Sequence, residues 1–127
     1  MTETSKAEEF ETVGDCVFFR PRGNVTIGKV TELAIVGIIY ARERKISKLV
    51  FNTTSLFGYS PPSITERYEA VTRCAPVAMG AVHVALVTKP ERMDAQQFHE
   101  VVGANRGLTT DVFVTEEEAV AWLAAHE

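Results

Sequence analysis

The chain has 127 residues and a formal charge of −4, and 46% of its residues are hydrophobic and 24% charged. These values are typical of one globular domain and exclude collagen-like, disordered and disulfide-stapled chains. No apolar run reaches the roughly 20 residues that span a bilayer, and the acidic balance argues against a dedicated nucleic-acid binder. We therefore expect no transmembrane segment and no nucleic-acid partner.

The N-terminal segment differs from the rest of the chain. Residues 1–11 are polar and carry four glutamates, so we expect a disordered acidic tail followed by a single domain over residues 12–127. The segment lacks the apolar core of a signal peptide, which favours the cytoplasm.

The first half of the domain predicts a strand and a helix. The apolar run over residues 13–20 predicts a strand, which ends at Pro21 because proline cannot donate to a ladder. Asn24 or Thr26 then caps a helix over residues 27–44, whose apolar residues recur at helical spacing. Its β-branched residues would also suit a strand, but its length and basic end favour the helix.

The middle of the chain continues the alternation. Residues 48–52 form a short apolar run typical of a buried parallel strand, and residues 53–59 form a loop. Ser63 begins a capping box that opens the second helix, and Pro76 is expected to end it.

The last third adds two more strand–helix pairs. Residues 81–87 predict a strand, Asp94 caps a third helix, residues 111–114 form a short strand, and Thr115 caps a last helix. Strands joined by helical crossovers form a mainly parallel sheet, here of four or five strands with four helices. The pattern does not predict the strand order at the edge.

Three segments have the order and spacing of a known family. They are Lys48-Leu49-Val50-Phe51-Asn52 before a loop and helix, Val82-His83-Val84-Ala85-Leu86-Val87, and the ending Arg106-Gly107, Val112-Phe113 and Glu118-Ala119-Val120-Ala121-Trp122-Leu123. Over residues 13–124 the chain resembles the STAS superfamily in its SpoIIAA-like branch. The resemblance implies an α/β fold built as a β-α superhelix.

The resemblance also implies a regulatory function. The founding members are anti-sigma factor antagonists that bind a kinase and are switched by phosphorylation of a serine, which follows an aspartate at a helix start. Here Ser60 stands at the aspartate position, and Pro61 and Pro62 stand where serines would be. We expect no phosphoswitch: Ser63 is the nearest hydroxyl, and a helix cap explains it better than a phosphate site. Some relatives without the switch look like carriers of apolar ligands.

The loop after the second crossover strand is unusually apolar. Leu56, Phe57 and Tyr59 leave the carboxyl end of a strand, the edge where open α/β sheets bind ligands. They predict either the wall of an apolar pocket or a patch for a partner, unless they fold back onto the core.

The first helix is apolar on more than one face. A helix on a small sheet can bury only one side, so Val36 and Ile39 suggest a homodimer contact through residues 27–44 or an apolar cavity beneath the helix. Simple exposure of these side chains is the alternative.

No motif indicates catalysis, a cofactor or a metal. His83, His99 and His126 have no metal-ligand spacing, and Cys16 and Cys74 form no CxxC pair, so we expect buried free thiols. The chain contains no P-loop, GxGxxG, HExxH or GxSxG pattern.

The sequence therefore predicts a non-enzymatic binding module, with two hypotheses for what it binds. A regulatory or protein-interaction domain, acting on a protein partner or on itself, would have an exposed apolar patch and no deep cavity. A carrier or sensor of a small apolar, lipid-like molecule would have an enclosed pocket, expected to be lined by Val36, Ile39, Phe57 and Tyr59. An enzyme would need convergent polar groups near His83 or Tyr59.

Overall fold

The computed structural model describes residues 9–104 and 108–125. The strands are β1 (Phe10–Val13), β2 (Cys16–Phe19), β3 (Gly23–Asn24), β4 (Lys48–Asn52), β5 (Leu56–Phe57), β6 (His83–Val87) and β7 (Thr110–Phe113). The helices are α1 (Ile27–Glu43), α2 (Ile64–Ala78), α3 (Ala95–Ala104) and α4 (Glu116–Ala125), with a short 3₁₀ helix at Pro90–Arg92. Residues 1–8 of the predicted tail, the Arg106-Gly107 pair and His126 lie outside the described residues.

Five strands form one mixed sheet in the order β1-β2-β4-β6-β7. The pairs β2–β4, β4–β6 and β6–β7 are parallel, whereas β1 is antiparallel to β2. The general α/β class predicted from the alternation of strands and helices is confirmed. The antiparallel pair arises because the chain enters the sheet through a hairpin.

Helices cover both faces of this sheet. Alternate residues of a strand point to opposite faces, so Leu49 and Phe51 pack with α1, α2 and α3, whereas Val50 packs with α4. On the α4 side, Ala119 and Leu123 are almost fully buried against the sheet. The larger core therefore lies between the sheet and the three preceding helices.

The helix starts follow the capping residues seen in the sequence. Thr26 accepts a hydrogen bond from the Lys29 amide, and Ser63 forms a reciprocal capping box with Glu66. The predicted stop at Pro76 is wrong, because α2 continues through it to Ala78. Proline so close to the helix end disturbs few main-chain bonds, which makes it tolerable there.

The predicted first strand is also wrong in extent, because two strands meet at a tight turn. Gly14 has a φ of +60°, which lets the chain reverse between β1 and β2. The Phe10 ring stacks 4.1 Å from the Phe19 ring and 3.8 Å from the Tyr40 ring, centroid to centroid. Phe10 and Glu11 thus belong to the sheet rather than to a disordered tail.

The segment predicted as a loop over residues 53–59 contains β5. This strand pairs in parallel with β3 in a separate two-stranded sheet, with Leu56 opposite Gly23 and Phe57 opposite Asn24. Gly58 follows at a φ of +96°, a conformation that favours glycine. The pairing holds the segment against the start of α1.

Candidate functional site

A cavity of about 120 Å³ lies between α1, α2 and the sheet. Its α1 wall is a stripe at helical spacing, made by Ile27, Val30, Thr31, Ala34 and Ile38. This stripe was present in the sequence as the i, i+3, i+4, i+7, i+11 pattern of an amphipathic helix.

The opposite wall and the floor are equally apolar. Ala70, Val71 and Cys74 form the α2 wall, and Phe51 and Val84 belong to the sheet beneath it. Further along, Leu86, Phe98 and Leu108 also line the cavity. Most of the surface that a guest would meet is therefore hydrocarbon.

Few polar residues line the cavity. Arg67 is one of them, and its Nε donates to the Pro62 carbonyl at 3.1 Å while its Nη2 lies 3.5 Å from the Arg92 carbonyl. Glu66 also lies at the wall, but its carboxylate accepts from the Ser63 amide in the capping box. Arg67 is thus a positively charged residue among the mostly apolar residues that line the cavity.

A smaller cavity of about 60 Å³ adjoins the first. The two share Ile27, Thr31, Glu66 and Ala70, and the smaller one also touches Glu69 and Arg73. The apolar space therefore borders a more polar one between the same two helices.

Cys74 places a thiol on the cavity wall. Burial raises the pKa of this thiol to about 11. The thiol is consequently protonated near neutral pH and behaves as a small apolar group rather than a nucleophile.

Arg92 fixes the segment that contains β5. Arg92 is buried, with an exposed fraction of 9% for the residue. Its guanidinium donates to the carbonyls of Thr53 at 3.3 Å and Leu56 at 2.7 Å. It also donates to the Tyr59 hydroxyl at 2.6 Å, and its guanidinium lies 4.4 Å from the centre of the Tyr59 ring. Sequence reasoning missed this anchor, because nothing near Arg92 in the chain reveals its distant acceptors.

The predicted contact residues do not gather around the cavity. Leu56 is fully buried and packs in the core, and Tyr59 is partly buried on Arg92. Phe57 is 52% exposed and Ile39 is 40% exposed. The four residues predicted to line an enclosed pocket are not among the residues of this cavity: Val36, Ile39, Phe57 and Tyr59.

The two serines at the start of α2 have different environments. Ser60 is exposed, and the Ser63 hydroxyl accepts from the Glu66 amide at 3.1 Å as a helix cap. Their roles as ligand or partner contacts, like those of Phe57 and Ile39, stay predictions.

A second polar cluster lies at the carboxyl ends of β2 and β4. The Glu116 carboxylate accepts from Arg20 Nε and Asn52 Nδ2, both at 2.7 Å. The hydrogen bond from Arg20, with that from Asn52, holds the pKa of Glu116 below its ordinary value, against the effect of burial. These bonds fasten α4 to the sheet, and the paired charges satisfy one another.

Metal-ligand clusters and membrane-spanning helices are two further features of the described residues. Within the described ranges, no three His, Cys, Asp or Glu side chains come together as metal ligands, and no helix is both long and apolar enough to cross a membrane. No protein-family model matches the chain, and a search of curated proteins found no match. Function must therefore be inferred from the geometry of the site.

Proposed function

We propose that this protein is a non-enzymatic carrier or sensor of a small apolar molecule, which binds in the cavity between α1 and α2. The single observation that carries the proposal is the cavity itself, about 120 Å³ with largely hydrocarbon walls. Apolar cavities of about 150 Å³ stay dry and bind molecules the size of benzene. The carrier hypothesis predicts an enclosed pocket, and this cavity is apolar but partly open to solvent.

The order of the strands supports the wider assignment that we propose, a divergent STAS-like domain, for which the cytoplasm is our further proposal. Within the sheet, neighbouring strands follow the order of the chain from β2 through β4 and β6 to β7. The helices α1, α2 and α3 pack on one face of the sheet. This is the arrangement expected of a β-α superhelix. The prolines at positions 61 and 62, with Ser63 engaged as a cap, favour a domain without the phosphoswitch.

Toluene is a suitable first probe of the cavity. We expect saturable shifts of the amide resonances of Val71, Cys74 and their neighbours in a two-dimensional NMR titration. The Ala70→Leu variant should abolish these shifts, because the larger side chain fills the space between the helices. Ala124→Leu is the matched control: Ala124 is exposed on α4, across the sheet from the cavity.

Two outcomes would contradict the proposal. One is the absence of any saturable shift in the wild-type protein up to the solubility of toluene. The other is equal binding by the wild-type protein and the Ala70→Leu variant, which would place the toluene elsewhere.

A regulatory role through protein contacts, including self-association through residues 27–44, is the second candidate. It is favoured by Ile39 on α1 and Phe57 on β5, which are 40% and 52% exposed although both are large and apolar. Sedimentation velocity over a wide concentration range tests the self-association. A dimer that the Ile39→Glu variant dissociates would support it, and a monomer at every concentration would contradict it.

A further inference from the structure

We infer that the molecule bound in the cavity is a small monocarboxylate, whose apolar body fills the space between α1 and α2 and whose carboxylate binds Arg67. The inference rests on the proposed function and adds the charge and headgroup of the ligand. It follows from the hydrogen bonds that Arg67 makes, from the donors it leaves unused and from the charges near it.

Arg67 keeps most of its hydrogen-bonding capacity. A guanidinium has five N–H donors. One of them is directed at the Pro62 carbonyl and one at the Arg92 carbonyl, the latter at a long 3.5 Å. The remaining donors make no hydrogen bond to the side chains that the structure describes, and Arg67 is one of the residues that line the cavity.

The charge of Arg67 has no ion-pair partner among the side chains that the structure describes. None of the ion pairs there includes Arg67. The adjacent Glu66 carboxylate, which also lines the cavity, accepts from the Ser63 amide and is not ion-paired with Arg67, and the Arg92 guanidinium donates to neutral oxygens. A half-buried guanidinium with only carbonyl partners is well placed to receive an anion.

A carboxylate is a small anionic group that can end an apolar molecule. Its two oxygens match the planar fork of arginine in a bidentate pair. The volume beside Arg67, about 120 Å³, suits an apolar body near the size of a benzene ring. Benzoate combines the two features and is the probe that we would use.

The test compares benzoate with benzamide, which has nearly the same shape and no charge. We expect calorimetric titration at pH 7 to give a benzoate affinity at least about tenfold higher, as a charged hydrogen-bonded pair warrants. Arg67→Met should weaken benzoate binding and so remove this preference, whereas Arg67→Lys should keep part of it. Arg73→Met, on the same helix and beside the smaller cavity, is the matched control and should keep the preference.

Each other outcome has a distinct meaning. Equal affinities for benzoate and benzamide would overturn the inference and leave the proposed function standing. No binding of either compound or of toluene would overturn both. Loss of the preference in Arg73→Met but not in Arg67→Met would overturn the inference by moving the carboxylate to the smaller cavity.

Discussion

Replacing Arg92 with methionine should destabilise the fold by about 2 kcal/mol. The Leu56 carbonyl, on a fully buried residue, would lose its donor, and an unsatisfied buried acceptor costs about 1–3 kcal/mol. The Thr53 carbonyl would keep the bond from the Leu56 amide at 3.0 Å, so it adds little. Methionine also avoids the cost of burying a guanidinium, which offsets part of the loss.

Urea unfolding followed by circular dichroism measures this difference in the free energy of unfolding. For a chain of this length, 2 kcal/mol corresponds to a fall in Tm of roughly 6–10 °C. Arg42→Met is the matched control, because Arg42 also donates to a distant carbonyl, that of Val77 at 2.9 Å, but is exposed. We expect a change within about 0.5 kcal/mol for the control. Equal losses in the two variants would refute the role assigned to Arg92.

Three further predictions concern acid stability, backbone conformation and thiol reactivity. Glu116→Gln should cost at most about 1 kcal/mol at pH 7, since its partner Arg20 is 39% exposed. The pKa of Glu116 is lowered by folding, so its contribution is present above the ordinary value of 4.5 and is lost as the pH falls through the folded value. The gap between variant and wild type in urea unfolding should therefore narrow as the pH falls below 4.5, and a gap independent of pH would contradict this. Gly58→Ala should cost about 1–3 kcal/mol, because φ is +96° and the new Cβ would meet the Asn24 side chain. Gly28→Ala should not destabilise the fold, because its new Cβ would only reach ordinary contact with the Thr26 hydroxyl at 3.9 Å. Cys74 should react far more slowly with thiol reagents at pH 8 in the folded protein than in urea, because burial raises the pKa of its thiol to about 11. Peptide mapping by mass spectrometry measures the two rates. Equal rates would show that the thiol is open to the reagent in the folded protein.

Local signals in the sequence predicted much of the fold. Thr26 and Ser63 have hydroxyl side chains that suit the first turn of a helix, and they cap α1 and α2 as expected. The apolar run over residues 48–52 became β4, whose first four residues are buried. These features depend on a few neighbouring residues, so the sequence was enough to recognise them.

Other elements depend on distant partners and were missed. Phe10 belongs to a strand because its ring stacks on Phe19 and Tyr40, which no pattern near Phe10 reveals. The hairpin of β1 and β2 is different, because Gly14 is a local turn signal between two short strands that our prediction of a single strand did not use. β5 forms because it pairs with β3, which is more than 30 positions earlier in the chain.

The residues of the cavity differ from those selected from the sequence. The excess of apolar side chains on the first helix predicted either a homodimer contact or an apolar cavity beneath it. Val36 and Ile39 are not among the cavity residues, whereas the stripe from Ile27 to Ile38 lines the cavity. Arg67 could not be selected from the sequence, because its position at the cavity depends on how α2 packs beside α1.

The central claim is that the space between α1 and α2 accepts a small apolar guest. A crystal of the protein equilibrated under xenon gas tests it most directly, because xenon binds in dry apolar cavities and scatters anomalously. We predict an anomalous peak in contact with Val71 and Cys74 in the wild-type protein and none in the Ala70→Leu variant. A wild-type crystal with no xenon between these helices would contradict the claim.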